Sequence, residues 1–498
     1  MKNWIILVLT IIAVFLLALL ANSIIDRKAE ARFAYQPQVE IEGIEPRDSV
    51  WGLNYPRQYQ SYRKTADTTF RGLYSTSGFA DVLDDQPELV ILWAGYAFSK
   101  DYNQPRGHSH AITDIQRTAR VGSPWEKGDG PMPSTCWTCK SSDVPRLMSE
   151  MGVAEFYSQK FSDLGSEVIN PIGCADCHDP QTMNLTITRP ALVEAFEAMG
   201  KVIGDASHQE MRSLVCAQCH VEYYFAKDVP GKEDAAYLTF PWQDGLTVEA
   251  MEEYYDNIDF ADWVHTLSKT RMIKAQHPDY EIFSMGVHAK RGVSCADCHM
   301  PYKTEGGQKF TDHHIGSPLS NVENSCFVCH RERKEDLVSD VYERQRKIKE
   351  GTSYLQKEIA KAHIEAKKAW DLGATEAQMA DILLGIRHAQ WRWDFSVASH
   401  GAAFHAPLET SRIVTSATGK IQETRITLAR LLATLGHNEP VDMPDFQSKE
   451  FLQEYIGLDM PGEMKDKQRY IEEVVPTWLK EGKVREGATL PGRKISGK

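Results

Sequence analysis

From Leu337 to Trp370 the apolar residues Leu337, Val341, Ile348, Leu355, Ile359, Ala366 and Trp370 mark one stripe, with charged residues filling the positions between them. That periodicity predicts a long amphipathic helix. Gly373 interrupts it, and Thr375 with Gln378 fits a capping box for a second helix through Ile382, Ile386, Ala389 and Trp393. A third helix is expected over Ile421 to Leu435. Shorter helical patterns cover Ala191 to Met199 and Val248 to Tyr255, and strand signals are sparse. The pattern predicts a mainly α fold with few strands and long C-terminal helices. A stripe of this length packs on its own core or forms a dimer seam, and the expectation for residues 336–498 includes homodimer contacts.

The amino terminus is apolar from Trp4 to Ala21, broken only by Thr10, and is followed by Asp26, Arg27 and Lys28. Residues 1–25 therefore form an export segment. It is either a signal peptide cut after Ser23 or an uncleaved membrane anchor, since about eighteen apolar residues can just span a bilayer. The borderline length and the small-residue site favour cleavage. Both readings put the folded body in the periplasm.

Of 498 residues, 56 are Lys or Arg and 69 are Asp or Glu, giving a net charge of -13. No basic run interleaves with aromatics, so nucleic acid is not an expected partner. The cysteines carry far more information. All ten lie in five Cys-x-x-Cys pairs, beginning at Cys136, Cys174, Cys216, Cys295 and Cys326, and none is left for a disulfide. The uneven spacing argues against a tandem repeat.

Four pairs are closed by Cys177, Cys219, Cys298 and Cys329 and followed at once by His178, His220, His299 and His330. Cys-x-x-Cys-His is the attachment signature of c-type haem: both thiols add to the porphyrin, and the imidazole ligates iron. Zinc sites space their paired cysteines differently and have no use for the adjoining histidine.

The fifth pair, Cys136 and Cys139, is followed by Lys140. It reads as a decayed motif, a lone disulfide, a redox dithiol or a haem held by an amine. Both thiols are in place, and a lysine held beside a metal loses its proton to become a neutral donor. The expectation is a fifth haem with Lys140 beneath it. Covalent haems supply core, so residues 45–335 are expected to form one compact, haem-packed unit.

A haem with two histidine ligands can only pass electrons, whereas one with an open position can bind substrate. Beyond the four proximal residues, thirteen histidines are available as caps: His108, His110, His208, His265, His277, His288, His313, His314, His363, His388, His400, His405 and His437.

Cys136-Trp-Thr-Cys139-Lys140 with four later Cys-x-x-Cys-His motifs resembles the pentahaem cytochrome c nitrite reductases, which form ammonia. The likeness continues in Asn54-Tyr-Pro-Arg-Gln-Tyr59, Pro105-Arg-Gly-His108, Cys216-Ala-Gln-Cys-His-Val-Glu-Tyr-Tyr-Phe225, Lys274-Ala-Gln-His277-Pro278, Thr311-Asp-His313 and His388-Ala-Gln-Trp-Arg-Trp-Asp394. It spans roughly Trp51 to Trp478.

The resemblance implies that His313 caps the haem on Cys174 and Cys177, and His108 the haem on Cys216 and Cys219. His405 then caps the haem on Cys295 and Cys298, from the C-terminal region, and His288 the haem on Cys326 and Cys329. It implies a substrate pocket of Arg120, Tyr223 and His277 above the Lys140 haem. A calcium site is implied at Glu222, the carbonyls of Tyr223 and Lys274, and the Gln276 side chain. Nitrite is the implied substrate, and the donor a membrane quinol dehydrogenase or a soluble multihaem cytochrome.

Arg106 competes with Arg120 for the anion, and His110 and His314 compete as ligands with their neighbours. The rival functions are a relay cytochrome with every iron six-coordinate, and a multihaem enzyme of hydroxylamine, sulfite or tetrathionate chemistry.

Overall fold

The computed structural model describes residues 2–33, 37–227 and 235–488. Its C-terminal half is built on three helices, Lys334–Asp371, Glu376–Ala398 and Pro407–Thr434, which pack on one another. Leu355, Ile359, Ala366, Met379, Ile382, Ile386, Ile421 and Leu428 close into one core with the Leu89–Leu92 helix. The predicted stripe is thus consumed inside the chain from Leu355 onward, while Leu337, Val341 and Ile348 are only half-buried.

Thr375 Oγ1 and the Gln378 side chain cap the middle helix reciprocally, as the capping box requires. That helix lies between two cores. Trp393 faces the helical core, whereas Trp391 and Phe395 face a second core around Trp137, Phe156, Phe161, Trp242 and Tyr255.

The third helix begins at Pro407, not near Ile421. Its first turns hold Thr410, Ser411, Thr415, Ser416 and Thr418, residues that ordinarily disfavour helix interiors. Here the Thr410, Thr415 and Thr418 hydroxyls donate to the carbonyls four residues back, while Ile413 and Ala417 supply the buried face.

The second core is irregular. Among the described residues, the strands form only four short antiparallel pairs, including Tyr224–Ala226 with Tyr237–Thr239 and Tyr302–Glu305 with Gln308–Thr311. At the amino terminus a helix runs over Lys2–Phe33, and the apolar part of its Asn3–Arg27 stretch is exposed, with mean hydropathy 3.1. By length and composition this helix can cross a bilayer, and a signal segment has the same character.

Candidate haem and substrate site

Each attachment motif is a single tight turn. His178, His220 and His330 donate their backbone N–H to the carbonyls of Cys174, Cys216 and Cys326, at 3.0, 2.9 and 2.9 Å. Cys295–His299 is likewise one helical turn. An i to i+4 turn puts the two sulfurs and the imidazole on one side. Lys140 differs: its N–H donates to the Trp137 carbonyl at 2.9 Å, a tighter i to i+3 turn. Its Nζ lies 3.4 Å from the Cys139 carbonyl.

Four pairs of imidazoles face each other across the molecule. Ring centroids are 6.1 Å apart for His108 and His220, 6.2 Å for His178 and His313, and 6.3 Å each for His299 with His405 and His288 with His330. A metal bonded at about 2 Å to a nitrogen on either side separates two such centroids by about 6.2 Å. Other histidine pairs do not share this spacing. His265 and His363 stack at 3.6 Å inside the helical core, tied to the Ile91 carbonyl, Ser268 and Gln390.

Ring orientation and charge also suit iron. Nδ1 of His178, His299 and His313 faces the carbonyls of Met183, Gly316 and Thr311, leaving Nε2 for a metal. Nδ1 of His108 and of His405 is buried without a hydrogen-bond partner. Burial pushes His108, His313 and His405 down to about 4, so they are neutral, the ligating form. The residues present therefore fit covalent haem. His110 turns to the Ala66 carbonyl at 3.1 Å, away from the His108 pairing.

Around the Lys140 turn, Arg120 lies within electrostatic reach of Cys136 and Tyr223. Its guanidinium sits over the Phe98 ring, 4.8 Å from the centroid, and makes no hydrogen bond or ion pair among the described residues. Arg106 is different: its Nε and Nη2 both donate to Asp114 Oδ1, and its backbone N–H donates to Oδ2. Burial holds the Tyr223 phenol well above its ordinary range, so it remains a proton donor.

The Arg120 turn is braced by two residues that no local sequence pattern singled out. Asp101 accepts the Ala119 N–H at 2.7 Å, and buried Lys467 donates to the carbonyls of Gln116 and Gly122. His277 has a similar support. Its Nδ1 is 2.8 Å from Asp279 Oδ2, which also lies 3.4 Å from His220 Nδ1. Burial alone would raise Asp279, but the His277 and His220 imidazoles hold it well below the usual carboxylate range. The His-Pro-Asp spacing was the available sequence signal for it.

Glu222 is fully buried and links the two halves of the pocket. Its carboxylate accepts the Gln276 N–H at 2.6 Å and the Tyr255 hydroxyl at 2.9 Å, and the Gln276 side chain contacts the Lys274 carbonyl at 3.0 Å. Burial pushes Glu222 well above its ordinary range, with buried Glu281 adding to the effect. A buried carboxylate so disfavoured, tied to a Gln276 whose side chain meets the Lys274 carbonyl, fits a hard divalent cation. The Lys274 ammonium is no substitute, because it is paired with Asp394 at 2.8 Å.

The cytochrome c552 family model matches residues 48–486. Cytochrome c-552 of Parabacteroides distasonis is 56% identical over 96% of both chains, and that of Maridesulfovibrio salexigens 46% identical over 96% of this chain and 95% of its own. Among solved structures, the catalytic subunit of the cytochrome c nitrite reductase from Desulfovibrio desulfuricans, for which two calcium sites are described, superposes with a TM-score of 0.74. It is 31% identical, and the match covers 85% of this chain and 91% of that one. On these matches and on its five attachment turns, the chain belongs to the cytochrome c552 family, that of the ammonia-forming cytochrome c nitrite reductases.

Proposed function

We propose that the protein reduces nitrite to ammonium in the periplasm at a Lys140-ligated haem fed by four bis-histidine haems. The observation that carries this reading is the set of four imidazole pairs at 6.1 to 6.3 Å, which uses His178, His220, His299 and His330 and leaves the Lys140 turn outside it. A pure relay would need a fifth such pair.

The balance is NO2⁻ + 6e⁻ + 8H⁺ → NH4⁺ + 2H2O. Haem, when bound, would pass on the six electrons drawn from the external donor and offer the metal centre for the nitrogen. Arg120, whose donors have no protein partner among the described residues, holds the anion and its reduced forms in the pocket. Tyr223 donates a hydrogen bond to a substrate oxygen. His277, backed by Asp279, carries a proton to an oxygen leaving as water.

Calcium is held by Glu222, the Tyr223 and Lys274 carbonyls and Gln276, and it fixes the segments that bear Tyr223 and His277 relative to each other. Glu222→Gln is expected to remove one calcium per chain by metal analysis and to lower kcat/KM for nitrite by roughly 10- to 100-fold. Full calcium occupancy in the variant would contradict the site.

Two copies pair through the outer faces of the long helices, where Tyr354, Leu408 and Ile426 are exposed. The electron donor is a membrane quinol dehydrogenase or a soluble multihaem cytochrome.

The function is tested by steady-state turnover with reduced viologen. The expected result is six viologen radicals consumed per nitrite, with ammonium as the nitrogen product. Absence of nitrite consumption, or release of hydroxylamine as the main product, would overturn the reading.

A further inference from the structure

Arg189 stands one residue before the Pro190–Ala198 helix, and its side chain is completely buried. It touches neither the substrate pocket nor any histidine pair, yet its bonds run to the centre of the haem-attachment region. Nε donates to the Thr138 carbonyl at 2.8 Å, and Nη2 to the Ser141 carbonyl at 2.9 Å and to Asp176 Oδ1 at 2.6 Å. Nη1 donates to Thr188 Oγ1 at 2.6 Å.

Gln218 completes the network. Its Oε1 accepts the N–H groups of Thr188 and Arg189 at 3.0 and 3.2 Å, and its Nε2 donates to the Asp176 carbonyl at 2.7 Å. The other Asp176 oxygen accepts the Ser142 hydroxyl and the Gly173 N–H.

Thr138, Asp176 and Gln218 occupy the same place in three different motifs: each is the residue just before the second cysteine, in Cys136–Cys139, Cys174–Cys177 and Cys216–Cys219. One guanidinium with one carboxylate and one amide therefore ties together three of the five turns. Thiol neighbours describe the same junction, since Cys139 lies beside Cys219, and Cys216 lies within electrostatic reach of Cys177.

A fully buried ion pair contributes little net stability over an apolar replacement, because both charges lose their hydration. What it supplies here is fixed geometry, since apart from the neighbouring Thr188 hydroxyl every acceptor is a backbone carbonyl or a side chain in or just after an attachment turn. The thiols of each turn bond a porphyrin, so a displaced turn displaces its macrocycle, and electron transfer between haems falls steeply with their separation. The charges of the pair also sit among the haems in a medium that screens them weakly.

We propose that Arg189, with Asp176 and Gln218, is a positioning residue for electron delivery: it fixes the mutual placement of the first, second and third haems and so the junction through which electrons reach the Lys140 haem. The proposal rests on the haem reading above but not on nitrite being the substrate.

The test uses Arg189→Lys in the full haem-loaded protein, with haem number from mass, a potentiometric titration, electron paramagnetic resonance of the oxidised form, and steady-state kinetics. With five haems retained, the expected result is an altered midpoint potential of at least one low-spin haem and an altered spin coupling between neighbouring haems. Turnover should fall about tenfold with KM for nitrite unchanged. Unchanged potentials and coupling would overturn the proposal, even if thermal stability fell. Should Arg189→Lys lose haem, Gln218→Met, which cuts only the link to the third turn, must show the same changes with five haems present. Wild-type potentials in that variant, or haem loss from both, would assign the network to folding alone and overturn the proposal. A protein that fails to reduce nitrite yet shows these shifts would refute the assigned reaction and leave the junction standing.

Discussion

His277→Ala is expected to lower kcat for nitrite by about 10²- to 10⁴-fold with all five haems still attached, the range for loss of a positioned proton donor. Eight protons must be delivered in one turnover, and the segment bearing His277 is tied to the one bearing Tyr223 by the bond from the Gln276 N–H to the Glu222 carboxylate. Asp279 Oδ2 lies 2.8 Å from the His277 Nδ1, on the side of the ring away from Nε2. The haem spectrum should be preserved, because His277 belongs to none of the four facing pairs. Wild-type turnover in this variant would remove His277 from the proton path.

Arg120→Gln carries the second large effect. The wild-type guanidinium has no protein partner among the described residues, so its donors are available to an anion, and the substitution leaves no protein group stranded. Two charge-assisted hydrogen bonds at about 1.5 to 2 kcal/mol each predict a loss in kcat/KM of roughly 10²- to 10³-fold. Arg120→Lys should recover part of it, since charge returns without the planar fork. The corresponding change at Arg106 should leave nitrite kinetics within about twofold, because its hydrogen bonds serve Asp114. Equal effects at the two positions would contradict the assignment.

Different parts of this molecule were legible to different degrees. The attachment turns could be read directly, because covalent chemistry demands both thiols and the ligand within five residues. The distal histidines could not be read from local pattern. His108 meets His220 from 112 positions away, and buried His265 and His363 were equally eligible until their mutual stacking was seen. Only the family resemblance separated them.

The helix starting at Pro407 was half-hidden for a different reason, since its hydroxyl-bearing first turns satisfy themselves on their own backbone. Asp101, Lys467 and Arg189 were invisible because their work is through space. Lys467 grips carbonyls some 350 positions away, on either side of Arg120. Arg189 precedes a proline, which foretells a helix start and says nothing of the three turns its side chain joins.

The most direct test of the account is the spin state of the five haems in the oxidised protein. The account predicts one high-spin haem and four low-spin haems, with the high-spin signal alone shifting when nitrite is added and vanishing from its position in Lys140→His. Five low-spin haems indifferent to nitrite would contradict it.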